Sequence, residues 1–209
     1  MFWTAALAAK GGSAHRAAGH RFARAVYGAA ATGALLAIAG LLRPSWMAVD
    51  AGAAADTRHL MWLTLYLLVV IVAPVQHGIG VIAAGSVPAR VRSYPHLVLN
   101  TAAIAGTVAL FPAVIVWQTL RFLLVVPAGF IIGVRNMQYA NRAVSSSREW
   151  EREHLTSQLT AGIAIHTTFL VMSVLRWPSL AGGGWWSLVP WVAPAFVGLP
   201  VIWRLRKRR

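Results

Sequence analysis

Five stretches of the chain carry no more than one charged residue each and are dense in Leu, Val, Ile and Ala: Phe22 to Leu42, Leu60 to Ala83, Leu97 to Leu120, Leu155 to Leu175 and Ser187 to Trp203. Crossing the hydrocarbon of a bilayer takes about 17 to 25 apolar residues in a helix, and each stretch meets that length. A sixth, Phe122 to Val134, offers only 13 uninterrupted apolar residues. Arg121 and Arg135 can reach outward from it to the headgroups, and Asn136 to Ala140 can carry the helix on to the interface. The pattern predicts an all-α fold, a polytopic integral membrane bundle of about six transmembrane helices. Residues 1–21 form an interfacial N-terminal segment, 22–203 a single transmembrane domain and 204–209 a basic tail.

Composition agrees. The 209 residues are 58% hydrophobic and 11% charged, with mean hydropathy +0.62, whereas soluble domains carry about 25% charged residues. Against 5 Asp and Glu stand 19 Lys and Arg, a net charge of +14. In a soluble chain that excess would suggest nucleic acid. Here the basic residues flank the apolar stretches, so they are read as topology signals, with a lipid bilayer and no nucleic acid as partner. The absence of Cys removes disulfides, thiolate metal sites and thiol nucleophiles. Met1 to Ala9 is too short for a cleavable signal, and basic residues separate it from the first long apolar run.

Lys and Arg concentrate on the cytoplasmic side of short loops. Six spans with both termini cytoplasmic place 15 of the 19 basic residues inside, leaving out only Arg43, Arg58, Arg121 and Arg176. Merging the third and fourth spans would send the Arg135 to Arg152 segment to the wrong side. Trp46, Trp62, Trp117, Trp177, Trp185, Trp186 and Trp191 then gather at the outer interface, and Trp3, Trp150 and Trp203 at the inner one. Indoles favour the headgroup region, which makes these residues a membrane belt. Alternatively, the loop from Trp177 through Gly182-Gly183-Gly184 to Trp185 and Trp186 docks on a partner.

Within the first span, Ala29, Gly33 and Ala37 recur in steps of four, a face that admits another helix closely and predicts a central position. Pro74, Pro112, Pro127, Pro190, Pro194 and Pro200 fall inside spans, where each removes a backbone hydrogen bond and favours a kink. Ser146 and Glu149 stand at capping-box spacing. The Glu149, Glu151 and Glu153 segment reads as a solvated helix start with Glu149 and Arg152 paired.

Ionisable residues inside spans are the first place to look for function. No Asp or Glu falls within any span, which deprives a proton- or cation-coupled carrier of its usual groups. His77 and His166 remain. Both can join helices by hydrogen bonds, or each can be the axial ligand of a haem or (bacterio)chlorophyll. Roughly 9 Å and 16 Å from the inner ends of their spans, they do not suit one shared haem. Asn100 lies at the depth of His77, so a His77–Asn100 hydrogen bond is expected. No phosphate loop, metalloprotease helix or nucleophile elbow is present, and no enzyme activity is predicted.

Lys10-Gly11-Gly12-Ser13-Ala14-His15-Arg16-Ala17-Ala18-Gly19 resembles the Lys-Gly-Gly-x-x-His-Arg-x-x-Gly opening of a family of uncharacterised bacterial multi-spanning membrane proteins. A second similarity pairs Glu153-His154 with the following Gly162-Ile163-Ala164 and His166 to Val171. The resemblance covers about 35 residues and implies a bacterial inner-membrane location, with no activity attached. Physically, His15, Arg16 and His20 make a basic turn suited to lipid phosphates or another subunit. A cytoplasmic cluster of His15, His20, His96 and His154 is the metal-binding alternative. The function these readings favour is that of a structural or accessory subunit of a larger membrane assembly, photosynthetic or respiratory. Pigment or haem binding and small-molecule transport are the alternatives.

Overall fold

The computed structural model describes residues 2–46, 51–118, 120–175 and 185–207. Among them every regular element is helical: α1 (Phe2–Leu7), α2 (Ser13–Leu42), α3 (Ala51–Ala84), α4 (Tyr94–Val116), α5 (Val126–Ala140), α6 (Ser147–Leu175) and α7 (Val189–Lys207). Four helices are long and apolar enough to cross a membrane: Ser13–Leu42, Ala55–Ala84, Tyr94–Val116 and Phe122–Ala140. The short fourth stretch is among them because its helix runs on to Ala140, as its polar end predicts. The fifth and sixth stretches are also helical but fall outside this set. Thr156, Ser157, Gln158 and His166 make α6 more polar, and the apolar part of α7, Val189–Arg204, is short.

The chain forms two compact units, Met1–Leu68 and Val69–Arg209. In the first, α1 folds back along the start of α2, with the Phe2 and Phe22 ring centroids 5.4 Å apart. Gly11 makes the reversal possible: its φ of +76° is a left-handed conformation that costs glycine little. The Lys-Gly-Gly segment therefore closes a helical hairpin. Lys10 Nζ donates to the Ala6 carbonyl, and His15 Nδ1 meets the Ala5 carbonyl at 2.8 Å. Two orphan carbonyls at the end of α1 are satisfied in this way. His15 is thus occupied within the protein, contrary to its expected outward role, while Arg16 and His20 are exposed.

The expected small-residue face is real in part. A Cβ on Gly33 would come within 3.2 Å of Leu68, and Ala37 is fully buried, but Ala29 is exposed. In the apolar window of α2 17% of residues are buried, against 61% in that of α3.

In the second unit α4 packs on α5 and α6 on α7. Pro95 and Pro127 occupy the first turns of α4 and α5, where a missing N–H removes nothing. Pro127 and Pro190 are helix starters, a correction to their reading as kinks; Pro74, Pro112, Pro194 and Pro200 lie in helix interiors. Trp191 and Trp150 pack against protein side chains. The Trp191 ring is buried against Phe122 with centroids 5.2 Å apart, and Trp150 packs on the core of Val81, Ala84, Val91, Tyr139 and Ala140. Trp46, Trp62, Trp3 and Trp203 are more than half exposed, as a belt requires.

Candidate functional site

The polar residues of α4 recur as His96, Asn100 and Thr107, on one stripe with Ala103, and all four are buried. Facing them, α5 presents Gly129, Gly133 and Asn136. A Cβ at Gly133 would stand 2.7 Å from the Asn100 carbonyl oxygen, so glycine is what lets the two backbones approach. Across this crossing Asn136 Nδ2 donates to Asn100 Oδ1 at 2.8 Å, and Asn100 Nδ2 donates to the His96 carbonyl at 2.7 Å. About two turns further along α4, Thr107 Oγ1 donates to the Val126 carbonyl at 3.0 Å.

A second close approach brings α6 onto α3. At Gly78 a Cβ would meet the Gln158 side chain at 2.6 Å and Ser157 Cβ at 3.3 Å. His154 Nδ1 reaches the Gly78 carbonyl at 2.9 Å. This register sets Glu153 beside His77: its Oε1 lies 3.3 Å from His77 Nε2 and 2.6 Å from Arg135 Nη2. On the other side of the imidazole, Nδ1 is 3.1 Å from His96 Nε2. The Tyr139 ring meets His77 edge-on at a centroid distance of 5.5 Å. Four helices thus converge on one chain of contacts, Arg135–Glu153–His77–His96, with His77 fully buried and Glu153 13% exposed.

The acceptor-only carboxylate orders the protons. With Glu153 ionised, His77 Nε2 carries the hydrogen and Nδ1 accepts from His96 Nε2–H. His96 Nδ1 is then a lone-pair nitrogen, buried and without a hydrogen-bond partner among the described residues. Glu153 then accepts from His77 and His77 accepts from His96, so each hydrogen between these three side chains has an acceptor.

Several expectations change here. His77 does not bond Asn100. Its partner is His96, one turn before Asn100, and the two networks join through the His96 backbone. Glu153 is not a solvated member of a Glu triplet but the centre of the buried chain, because Gly78 draws α6 against α3. Glu149 does form the capping box: Ser146 N donates to its Oε2 at 2.7 Å, and Glu149 N donates to Ser146 Oγ at 3.3 Å. Among the described residues no group of three or more His, Asp or Glu could hold a metal.

Both ring nitrogens of His77 face protein partners, which does not fit axial ligation of a haem or chlorophyll. His166 Nδ1 lies 2.7 Å from the Gly162 carbonyl, one turn back on its own helix, which makes Nε2 its acceptor nitrogen. Trp177 lies outside the described residues, and Trp185 and Trp186 stand in a short 3-10 turn, Trp185–Leu188. Glu153, Arg135 and Asn136 were not predicted as site residues, and His96 only within the metal-binding alternative. The His96, Asn100, Ala103, Thr107 stripe was the available signal for His96, since it repeats at helical spacing. No family model, curated protein or solved structure matches the chain.

Proposed function

We propose that the chain is a multi-pass protein of the bacterial inner membrane, crossing six times with both ends cytoplasmic, and that it serves as a structural or accessory subunit of a larger membrane assembly. The use of its buried polar groups carries this reading. Arg135, Glu153, His77, His96, Asn100 and Asn136 bond to one another and hold α3, α4, α5 and α6 together. Such bonds between helices contribute about 0.6 to 2 kcal/mol each in membranes. Outside this network Leu35, Leu36 and Leu42 of α2 and Phe196, Val197 and Leu199 of α7 are exposed, an apolar surface for lipid and neighbouring subunits.

Purification in mild detergent should recover the protein with other membrane subunits, and Trp185→Ala with Trp186→Ala should weaken that co-purification. Recovery of a lone chain under conditions that preserve known complexes would refute the subunit reading. Pigment or haem binding at His166, whose Nδ1 is held on the Gly162 carbonyl, is the second reading. A Soret or near-infrared band that disappears in His166→Ala would place it first.

A further inference from the structure

Beside the buried chain, α5 and α6 enclose a pocket of about 350 Å³ whose charged lining is Arg135, Arg142, Arg152, Glu149 and Glu153. Three guanidinium groups face two carboxylates, and both carboxylates are already engaged. Glu153 Oε1 meets Arg135 and His77, while Glu149 Oε2 accepts from the Ser146 N–H at the start of α6. Arg142 lies over the Tyr139 ring at 5.5 Å, a contact that leaves its N–H edge open. Glu149 interacts electrostatically with both Arg142 and Arg152, but neither arginine stands within ion-pair distance of a carboxylate among the described residues, so the expected Glu149–Arg152 pair is not formed. The Gln138 side chain adds an amide to the same wall. Guanidinium pairs with planar forks of donors recognise phosphate oxygens in two-point fashion, and basic pockets between helices near the membrane face take phospholipid headgroups.

We propose that this pocket binds a phosphate group, with Arg142 and Arg152 as its principal contacts and Arg135 held at its inner wall by Glu153. The ligand is a phosphate ester or phosphate ion, supplied either by an anionic phospholipid headgroup or from solution. The cavity is larger than a bare phosphate and leaves room for a glycerol-sized substituent. This site is separate from the subunit reading and does not depend on the number of spans.

The full chain, purified in a neutral maltoside detergent, is titrated with inorganic phosphate and, separately, with dihexanoylphosphatidylglycerol at matched ionic strength; dihexanoylphosphatidylcholine serves as the zwitterionic reference. Wild type should bind at least one of the first two probes saturably, one per chain. Binding of phosphatidylglycerol alone assigns a lipid headgroup, and binding of inorganic phosphate assigns a soluble source. Arg142→Gln with Arg152→Gln should weaken binding at least tenfold, while Arg90→Gln, at an exposed basic residue outside the pocket, should leave it unchanged. Each single variant should show a partial loss, so that the test stands even if the double variant does not melt cooperatively. No saturable binding by wild type, wild-type affinity in the single and double variants, or an equal loss in Arg90→Gln would overturn the proposal.

Discussion

Glu153 meets more demands than any other side chain in the network. One of its oxygens receives both Arg135 and His77, at 2.6 Å and 3.3 Å. Glu153→Leu removes the acceptor shared by the Arg135 guanidinium and the buried His77 N–H, and an unsatisfied buried polar group costs about 1 to 3 kcal/mol. Glu153→Gln retains a carbonyl acceptor and loses only the charge. Thermal unfolding in detergent should therefore rank wild type above Glu153→Gln and Glu153→Gln above Glu153→Leu; equal midpoints would remove the network from the account of stability. Glu149 has a different role at the surface. The Ser146 backbone N–H and then its side chain hold this carboxyl below its usual range. A depressed folded pKa adds stability above the ordinary carboxylate range, and that stability is lost as pH falls through the folded value. Glu149→Ala should lower the unfolding midpoint at neutral pH, and the gap to wild type should close on acidification. A gap that stays constant into acid would contradict the capping role.

Two helix crossings depend on glycine, and they differ in what lies opposite. At Gly133 an added methyl would strike the Asn100 carbonyl and Ile104, both at 2.7 Å, so the α4 backbone itself must move. At Gly78 the nearest atom, at 2.6 Å, is the tip of the Gln158 side chain, which can rotate away. Overpacking costs about 1 to 3 kcal/mol, and Gly133→Ala should lower the unfolding midpoint more than Gly78→Ala. The reverse order would mean that α4 and α5 do not meet as described. This contrast also marks how far the sequence can be read. Helical stretches were legible because apolar runs of span length leave a chain few other conformations in a bilayer. The buried polarity of His77 and Asn100 was legible from its setting in those runs. Partners were not, because a hydrogen bond depends on rotation and register between helices: a change of one turn replaced Asn100 by His96. Glu153 was read as solvated because it precedes its apolar run, and only the close approach at Gly78 draws it inward. The Lys-Gly-Gly-x-x-His-Arg segment was legible as a basic turn but not as the closure of a hairpin, since Lys10 and His15 turn back onto the carbonyls of α1.

For the molecule as a whole, the proposed topology makes the polar network and the basic pocket cytoplasmic features, at the ends of α3, α4, α5 and α6. The same topology sends the 177–184 segment to the other side. Its measure is the accessibility of single cysteines in a chain that has none of its own. Ser147→Cys, at the start of α6, and Gly183→Cys, beyond its end, are each treated in intact cells with a membrane-impermeant maleimide, before and after permeabilisation. Six spans with cytoplasmic ends predict that Gly183→Cys labels from outside, whereas Ser147→Cys labels only once the membrane is opened. Labelling of both from the same side would contradict the six-span arrangement and the cytoplasmic placement of the site.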